Sequence, residues 1–258
     1  MILNEKRLRT ALVTGAAKRI GRAIVEDLAA NGFSVAIHHA SRSIEAAENF
    51  AAELRQSGSR AFAVQADLEK IDETSDLIRK VSETLGPIDL LVNNASVFHE
   101  DSVRHIDAKA WDEHFAVHVR APSILSANFA AQLPERADGL IINIIDQRVW
   151  ALRPSFYSYT LSKSALWTAT QTTAQALAPR IRVNAIGPGP SMPSERQSQE
   201  DFQAQVSALI LKRGPKLEEF GKTIRFLYET PSITGQMIAL DGGQHLAWQT
   251  PDVAEIME

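Results

Sequence analysis

A doubly wound parallel α/β sheet of about seven strands, with helices on both faces, is the fold class this sequence predicts. Three observations carry the expectation. Short β-branched or apolar runs alternate with longer stretches of helical spacing from one end of the chain to the other. The short runs are almost continuously apolar, as in strands buried on both faces rather than one. Gly32, Gly58 and Gly86 stand just past three of the helical stretches, where a left-handed C-cap favours glycine.

In order, the first strand is expected over Thr10–Thr14 and the first helix over Arg19–Asn31. Phe33–His38 and Ser43–Ser57 follow as strand and helix, then Arg60–Gln65 and Ile71–Leu85. The fourth strand, Ile88–Asn93, leads into one long helix over Asp107–Gln132. Leu140–Ile145 precedes the helix Tyr157–Ala178, and Ile181–Ile186 is the sixth strand. The helix Lys216–Glu229 and the strand Gln236–Leu240 complete the set. Residues 187–200, rich in Pro, Ser and Gly, form the least regular stretch, and a substrate loop or a plain surface loop fits that composition equally. The alternating charges over Glu45–Glu53 and Asp72–Glu83 read as solvated helix faces.

Composition narrows the function. The chain has 258 residues, 45% of them apolar and 22% charged, which is ordinary globular composition and excludes disordered and fibrous classes. A formal net charge of -4, from 27 Lys+Arg against 31 Asp+Glu, argues against a nucleic-acid partner, which calls for a basic face. With no cysteine, there are no disulfides, thiolate metal sites or thiol nucleophiles. No apolar run approaches the roughly 20 residues of a membrane helix, and Met1–Thr10 lacks the apolar segment of a signal peptide. A cytoplasmic protein is the expectation.

Thr14-Gly15-Ala16-Ala17-Lys18-Arg19-Ile20-Gly21 joins the first strand to the first helix, where a pyrophosphate rests on a helix N-terminus in a Rossmann-type fold. Gly15 suits the tight turn and Gly21 the close packing of helix on strand. Lys18, Arg19 and Ile20 complete the loop. Arg19 either contacts a phosphate or flat ligand or is a solvated arginine that the helix dipole mildly disfavours. After the second strand, His38-His39-Ala40-Ser41-Arg42-Ser43 lacks the acidic residue that selects a free ribose 2′-hydroxyl. His39, Ser41, Arg42 and Ser43 suit a 2′-phosphate instead, which predicts NADP(H). Ser43 also has the side chain of an N-cap.

Tyr159 and Lys163 lie four apart on one face of the helix after the fifth strand. A nearby ammonium stabilises phenolate and is expected to draw the Tyr159 pKa down, making it a general acid. Asp146, thirteen residues upstream and just past the fifth strand, opposes that effect if it lies beside the phenol.

Taken together, these landmarks, with Asn93–Ser96 after the fourth strand, Asn184–Gly189 after the sixth and Leu240–Gly243 near the end, resemble the short-chain dehydrogenase/reductase family over nearly the whole chain. One domain, 1–258, is therefore expected. The wider family carries glycine where Arg19 stands (TGxxxGxG) and Ser where Asp146 stands. Arg19 in TGAAKRIG, the run Asn93–Ser96 followed by Phe98, and Asp146 with Tyr159 and Lys163 resemble the pteridine reductases and bacterial dihydromonapterin reductases. Leu240–Leu246 and His118, where the wider family has Asn, resemble the dihydromonapterin branch.

The resemblance implies that Asp67, Leu68, Asn94, Ala95, Pro188 and Gly189 join the cofactor set, with Tyr159 and Lys163. It implies that Phe98 stacks on a pterin, that Ser96 and Arg19 bond its polar edge, and that Asp146 orients or activates Tyr159. A homotetramer through the two long helices is implied too. NADPH-dependent reduction of the C=N bond of dihydromonapterin, dihydrobiopterin or a dihydrofolate-like substrate is the function expected. The alternatives are a carbonyl reductase acting on a 3-oxoacyl or sugar ketone and a catalytically idle NADP-binding regulator. Phe98 alone is equally a packing residue, and Trp150 lines the pocket or caps the core. His114 and His118 have metal-ligand spacing, but no HExxH motif or third ligand accompanies them, so no metal is expected.

Overall fold

The computed structural model describes residues 9–193 and 197–248. The N-terminal stretch, three positions of the irregular loop and the acidic tail lie outside the described residues.

Seven strands form one parallel sheet in the order β3-β2-β1-β4-β5-β6-β7. They are β1 (Arg9–Val13), β2 (Phe33–His39), β3 (Ala61–Gln65), β4 (Leu90–Asn93), β5 (Gly139–Ile144), β6 (Ile181–Pro188) and β7 (Met237–Leu240). Helices α1 (Arg19–Ala30), α2 (Ile44–Gln56) and α3 (Ile71–Leu85) connect the first strands. After β4 come α4 (Ala108–Phe115) and α5 (Ala121–Gln132), after β5 comes α6 (Tyr157–Leu177), and α7 (Gln199–Ser207) and α8 (Leu217–Glu229) lie between β6 and β7.

Successive strand residues point to opposite faces, and the core divides accordingly. Ala11, Val13, Val35, Ile37, Val92 and Ile142 meet Ile24, Leu28, Phe50, Phe220 and Ile224 of α1, α2 and α8. Leu12, Ala36, Leu91, Ile141 and Val183 meet Leu77, Val81, Leu125, Phe129 and Ala174 of α3, α5 and α6. Burial on both faces is why the strands read as apolar runs rather than alternating ones. Gly32, Gly58 and Gly86 have positive φ, as their places after α1, α2 and α3 led one to expect.

Three expectations need correction. The single helix over Asp107–Gln132 is α4 and α5 joined by a π-helical turn, Ala116–Arg120, and Asp107 is its N-cap, accepting from the N–H groups of Lys109 and Ala110. β6 runs to Pro188 because Gly187 and Pro188 pair with Ala239 and Leu240. The irregular stretch ends sooner than residue 200: Ser198 accepts from the Asp201 N–H and starts α7, a helix the reading of residues lacked. Among the described residues no helix is long and apolar enough to cross a membrane.

Candidate active site

Strand order reverses between β1 and β4, and the crevice beyond their C-terminal ends is where ligands bind in such sheets. Its floor is tightly built. Thr14 Oγ1 accepts from the N–H groups of Asn94 and Ala95, both at 2.9 Å. Asn94 Nδ2 donates to the carbonyls of Thr14 (2.8 Å) and Gly15 (3.1 Å). Gly15 has φ +62°, and a Cβ there would lie 2.9 Å from Ala95 Cα. A Cβ on Gly21 would meet the Gly15 carbonyl oxygen at 2.5 Å, so the approach of α1 to the turn requires glycine at both. Lys18 and Arg19 are exposed at the start of α1, and Ile20 packs half-buried on the core.

His38, rather than His39, supports this turn. Its Nδ1 accepts the Gly15 N–H at 3.0 Å, so its Nε2 carries the hydrogen and donates to the Ala66 carbonyl at 3.1 Å. Burial lowers its pKa to about 4, leaving a neutral ring. The signal in the sequence was the His38-His39 pair; His39 is also buried, and its Nδ1 lies 3.1 Å from the Ala40 carbonyl. Ser41 and Arg42 are exposed on a 3₁₀ turn over Ser41–Ser43 beside the crevice. Ser43 sits at the N-cap of α2 without a side-chain capping bond. Asp67 and Leu68 follow β3, where Asp67 accepts the Glu69 N–H and Leu68 is buried. On the far side, the Gly189 N–H donates to the Leu240 carbonyl.

Arg19 has φ +57°, the left-handed region that a non-glycine residue rarely adopts. Its Nη1 donates to the Pro193 carbonyl at 3.0 Å, tying the turn between β1 and α1 to the loop after β6. The strain falls on the position where the wider pattern carries glycine.

Across the crevice, the Tyr159 hydroxyl donates to Asp146 Oδ2 at 3.0 Å, and the other oxygen, Oδ1, accepts the main-chain N–H of Arg148 at 2.8 Å. Lys163 is buried and its Nζ donates to the Ile144 carbonyl at 2.9 Å, 5.8 Å from the Tyr159 ring. Burial lowers the Lys163 pKa to about 8, against the pull of Asp146. Tyr159 moves the opposite way from the expectation. Burial first, then the charge and hydrogen bond of Asp146, hold its pKa well above the ordinary value. Arg148 and a hydrogen bond with Ser96 draw it down by less. At neutral pH the phenol keeps its proton.

Phe98 packs edge-on to Tyr159, with centroids 4.7 Å apart, and lies parallel to Phe156 at 4.3 Å. One face of Phe98 is therefore covered by Phe156, whose own φ is +57°. Arg148 and Phe156 were not singled out from the sequence. The cation two residues past Asp146 was the available signal for the first, and none marked the second. Trp150 is half-exposed and packs against Trp167 and His245.

Behind Tyr159, His118 Nε2 accepts the Val97 N–H at 3.2 Å and contacts Ser96 Oγ at 3.0 Å. The hydrogen therefore resides on Nδ1, which donates to Ser162 Oγ at 2.8 Å. His114 repeats the pattern with the His99 N–H and Ser158. Burial lowers both pKa values, that of His114 to about 4 and that of His118 well below the ordinary range. All four ring nitrogens are engaged within the protein, so the i, i+4 spacing serves hydrogen bonding.

A family model for short chain dehydrogenases matches residues 9–203. The chain belongs to the short-chain dehydrogenase family. Within it, the crystal structure of FolM alternative dihydrofolate reductase 1 from Brucella canis, complexed with NADP, is 60% identical, with a TM-score of 0.93 covering 95% of this chain and 97% of that one. The Brucella suis protein of the same name, also with NADP, is 61% identical at the same TM-score, covering 95% and 98%. A relative named 3-oxoacyl-[acyl-carrier-protein] reductase FabG, from Staphylococcus epidermidis, is 31% identical over 92% of this short-chain dehydrogenase and 99% of its own length.

Proposed function

We propose that this chain is an NADPH-dependent reductase of the C=N bond of a dihydropterin, with dihydromonapterin, dihydrobiopterin or a dihydrofolate-like molecule as substrate. The observation that carries the reading is the Tyr159 hydroxyl donating to Asp146 beside the Phe98 ring. The FolM structures from Brucella support it, both in the name of those proteins and in the NADP bound to them.

The crevice fits a dinucleotide phosphate. Gly15 and Gly21 let the turn, α1 and the loop after β4 pack closely, and the N-terminus of α1, with Lys18 and Arg19, is where the pyrophosphate would rest. Ser41 and Arg42 are exposed where a 2′-phosphate would lie, with His39 and Ser43 adjoining. Asp67, Leu68, Asn94, Ala95, Pro188 and Gly189 border the rest. When bound, NADPH supplies the hydride. Tyr159 holds the proton at its phenol oxygen, and Asp146 orients that oxygen. Lys163 and Arg148 each lie 5.8 Å from the Tyr159 ring centre, and a lysine with a pKa near 8 is mostly charged at pH 7. Phe98 offers a flat face, and Ser96 and Arg19 offer donors to a ring edge. A cytoplasmic homotetramer is the proposed setting, its contacts made by α4–α5 and α6, where Trp111 and Phe115 stack half-buried at 5.0 Å.

A second reading, reduction of a 3-oxoacyl or sugar ketone, has the FabG relative behind it. Asp146 in the family's serine place and a strained Arg19 in its glycine place weigh against it. An idle NADP-binding regulator has no need of the paired Tyr159 and Lys163. NADPH oxidation with a panel of 7,8-dihydropterins, quinonoid pterins and generic ketones decides among the three. Dihydropterins should turn over, more slowly with NADH. Turnover with ketones alone would overturn the reading, and tight NADPH binding without turnover would favour the regulator.

A further inference from the structure

Arg148 has unmet hydrogen-bonding capacity at the heart of the site. Its Nε and Nη1 are buried and have no hydrogen-bond partner among the described residues. A guanidinium keeps its charge and carries donors but no acceptor, and buried polar groups in folded proteins are otherwise almost always paired. The Asp146 carboxylate is already engaged through both oxygens, by the Arg148 main chain and by Tyr159. The guanidinium carbon lies 5.1 Å from the Phe156 ring centre, 5.6 Å from Phe98 and 5.8 Å from Tyr159. Two unpaired donor nitrogens, with three N–H groups between them, thus sit among the aromatic rings that would border a flat substrate, next to the phenol that gives up the proton. Phe156, which completes this set of rings, is held in the left-handed region. Backbone strain of that kind persists where the surroundings over-determine it, often at ligand clamps.

We propose that Arg148 is a specificity-determining residue that donates hydrogen bonds to an acceptor on the flat ring of the substrate, adjoining the nitrogen protonated by Tyr159. The assignment rests on the dihydropterin reading above. In a 7,8-dihydropterin, the acceptor nearest that nitrogen is the carbonyl oxygen of the neighbouring ring. A cation there also favours the loss of the phenolic proton, in line with the downward pull of Arg148 on Tyr159. A 3-oxoacyl chain or an open sugar offers no flat ring and no second carbonyl fixed beside the reacting bond, so Arg148 selects against them.

The test compares kcat/KM for 7,8-dihydrobiopterin and for its analogue without the ring carbonyl, in the wild type and in Arg148→Met and Arg148→Lys. The wild type should prefer the carbonyl-bearing substrate by about 10- to 100-fold, the worth of a hydrogen bond to a charged group. Arg148→Met should lose that preference, chiefly through KM, while the Kd for NADPH stays within about twofold. Arg148→Lys should restore part of it. A wild type indifferent to the carbonyl, or Arg148→Met with the wild-type preference, overturns the assignment. The first of these needs no variant, so a variant that fails to fold does not protect the proposal. A wild type that reduces ketones and neither dihydropterin removes the dihydropterin reading and this assignment together. Turnover of both dihydropterins without preference removes the assignment alone.

Discussion

Arg19 shows what one residue contributes against its own backbone. A non-glycine residue at φ +57° costs about 1–3 kcal/mol relative to a relaxed conformation, and glycine occupies that region freely. The bond it gains, from Nη1 to the Pro193 carbonyl, is exposed and worth little. Arg19→Gly should therefore stabilise the fold by about 1 kcal/mol, raising Tm by a few degrees, while the KM for a dihydropterin rises about tenfold or more. Loss of stability with unchanged KM would show that Arg19 serves the fold and not the substrate. The residue itself was legible, because a cation interrupts a glycine pattern; its strain was not, since φ is set by the packing of α1 and the loop after β6. Asp146, Tyr159 and Lys163 were legible by order and spacing, and the fold brings the Tyr159 hydroxyl to Asp146 at 3.0 Å. The direction of the Tyr159 pKa was not, because burial outweighs a lysine whose Nζ is turned to the Ile144 carbonyl.

At the scale of the element, the π turn between α4 and α5 does most to shape the site. The apolar pattern over Asp107–Gln132 reads as one helix because a π turn changes the hydrogen-bond register by one residue and leaves the composition untouched. It brings His114 and His118 onto successive turns, stacked at 5.5 Å, each bridging a main-chain N–H after β4 to a serine of α6. The helix that carries Tyr159 and the loop that carries Ser96 and Phe98 are thereby fixed to one another. The spacing of the histidines was visible in the sequence, while their partners, 15 to 44 residues away, were not. Asparagine, the wider family's residue at position 118, is too short to span both partners. His118→Asn should cost about 1–3 kcal/mol in urea unfolding, the price of leaving the Val97 N–H or Ser162 without its acceptor or donor. It should lower kcat more than it raises KM, because the phenol and the ring it serves lose their common support. Wild-type unfolding and kcat in His118→Asn would show that the bridge is dispensable.

Over the whole molecule, the sheet was readable because both its faces are covered: Leu90, Leu91, Val92, Ile141 and Ile142 admit few alternatives to a buried strand. α7 escaped because its flanks are polar and it has no buried residue to mark a face. What extends across the whole chain is a set of buried neutral imidazoles, His38 under the phosphate-binding turn and His114 and His118 behind Tyr159. An imidazole whose pKa is lower in the folded chain takes up its proton more readily when unfolded, so falling pH favours unfolding. His38 and His114 stand near 4, and burial holds His118 well below the ordinary value of 6.5. The stability they contribute is therefore intact above about pH 6.5 and is lost progressively down to about pH 4. Each ring adds about 1.4 kcal/mol per pH unit within that window. Asp101 and Glu113 lean against the shift of His114, and Lys163 and His99 reinforce it. Lys163 itself works at the other end, where its lowered pKa near 8 makes stability rise as pH goes from about 8 to 10.5, clear of the acid window. Urea unfolding in steps from about pH 7 to about pH 4.5 should show stability falling by about 3 kcal/mol per pH unit at its steepest from His38 and His114, with His118 and the carboxylates adding to it. His114→Gln should flatten the profile by close to one proton. A stability independent of pH across that window, or an unaltered slope in His114→Gln, would mean that these rings are charged in the native protein and that the hydrogen placements behind Tyr159 are wrong.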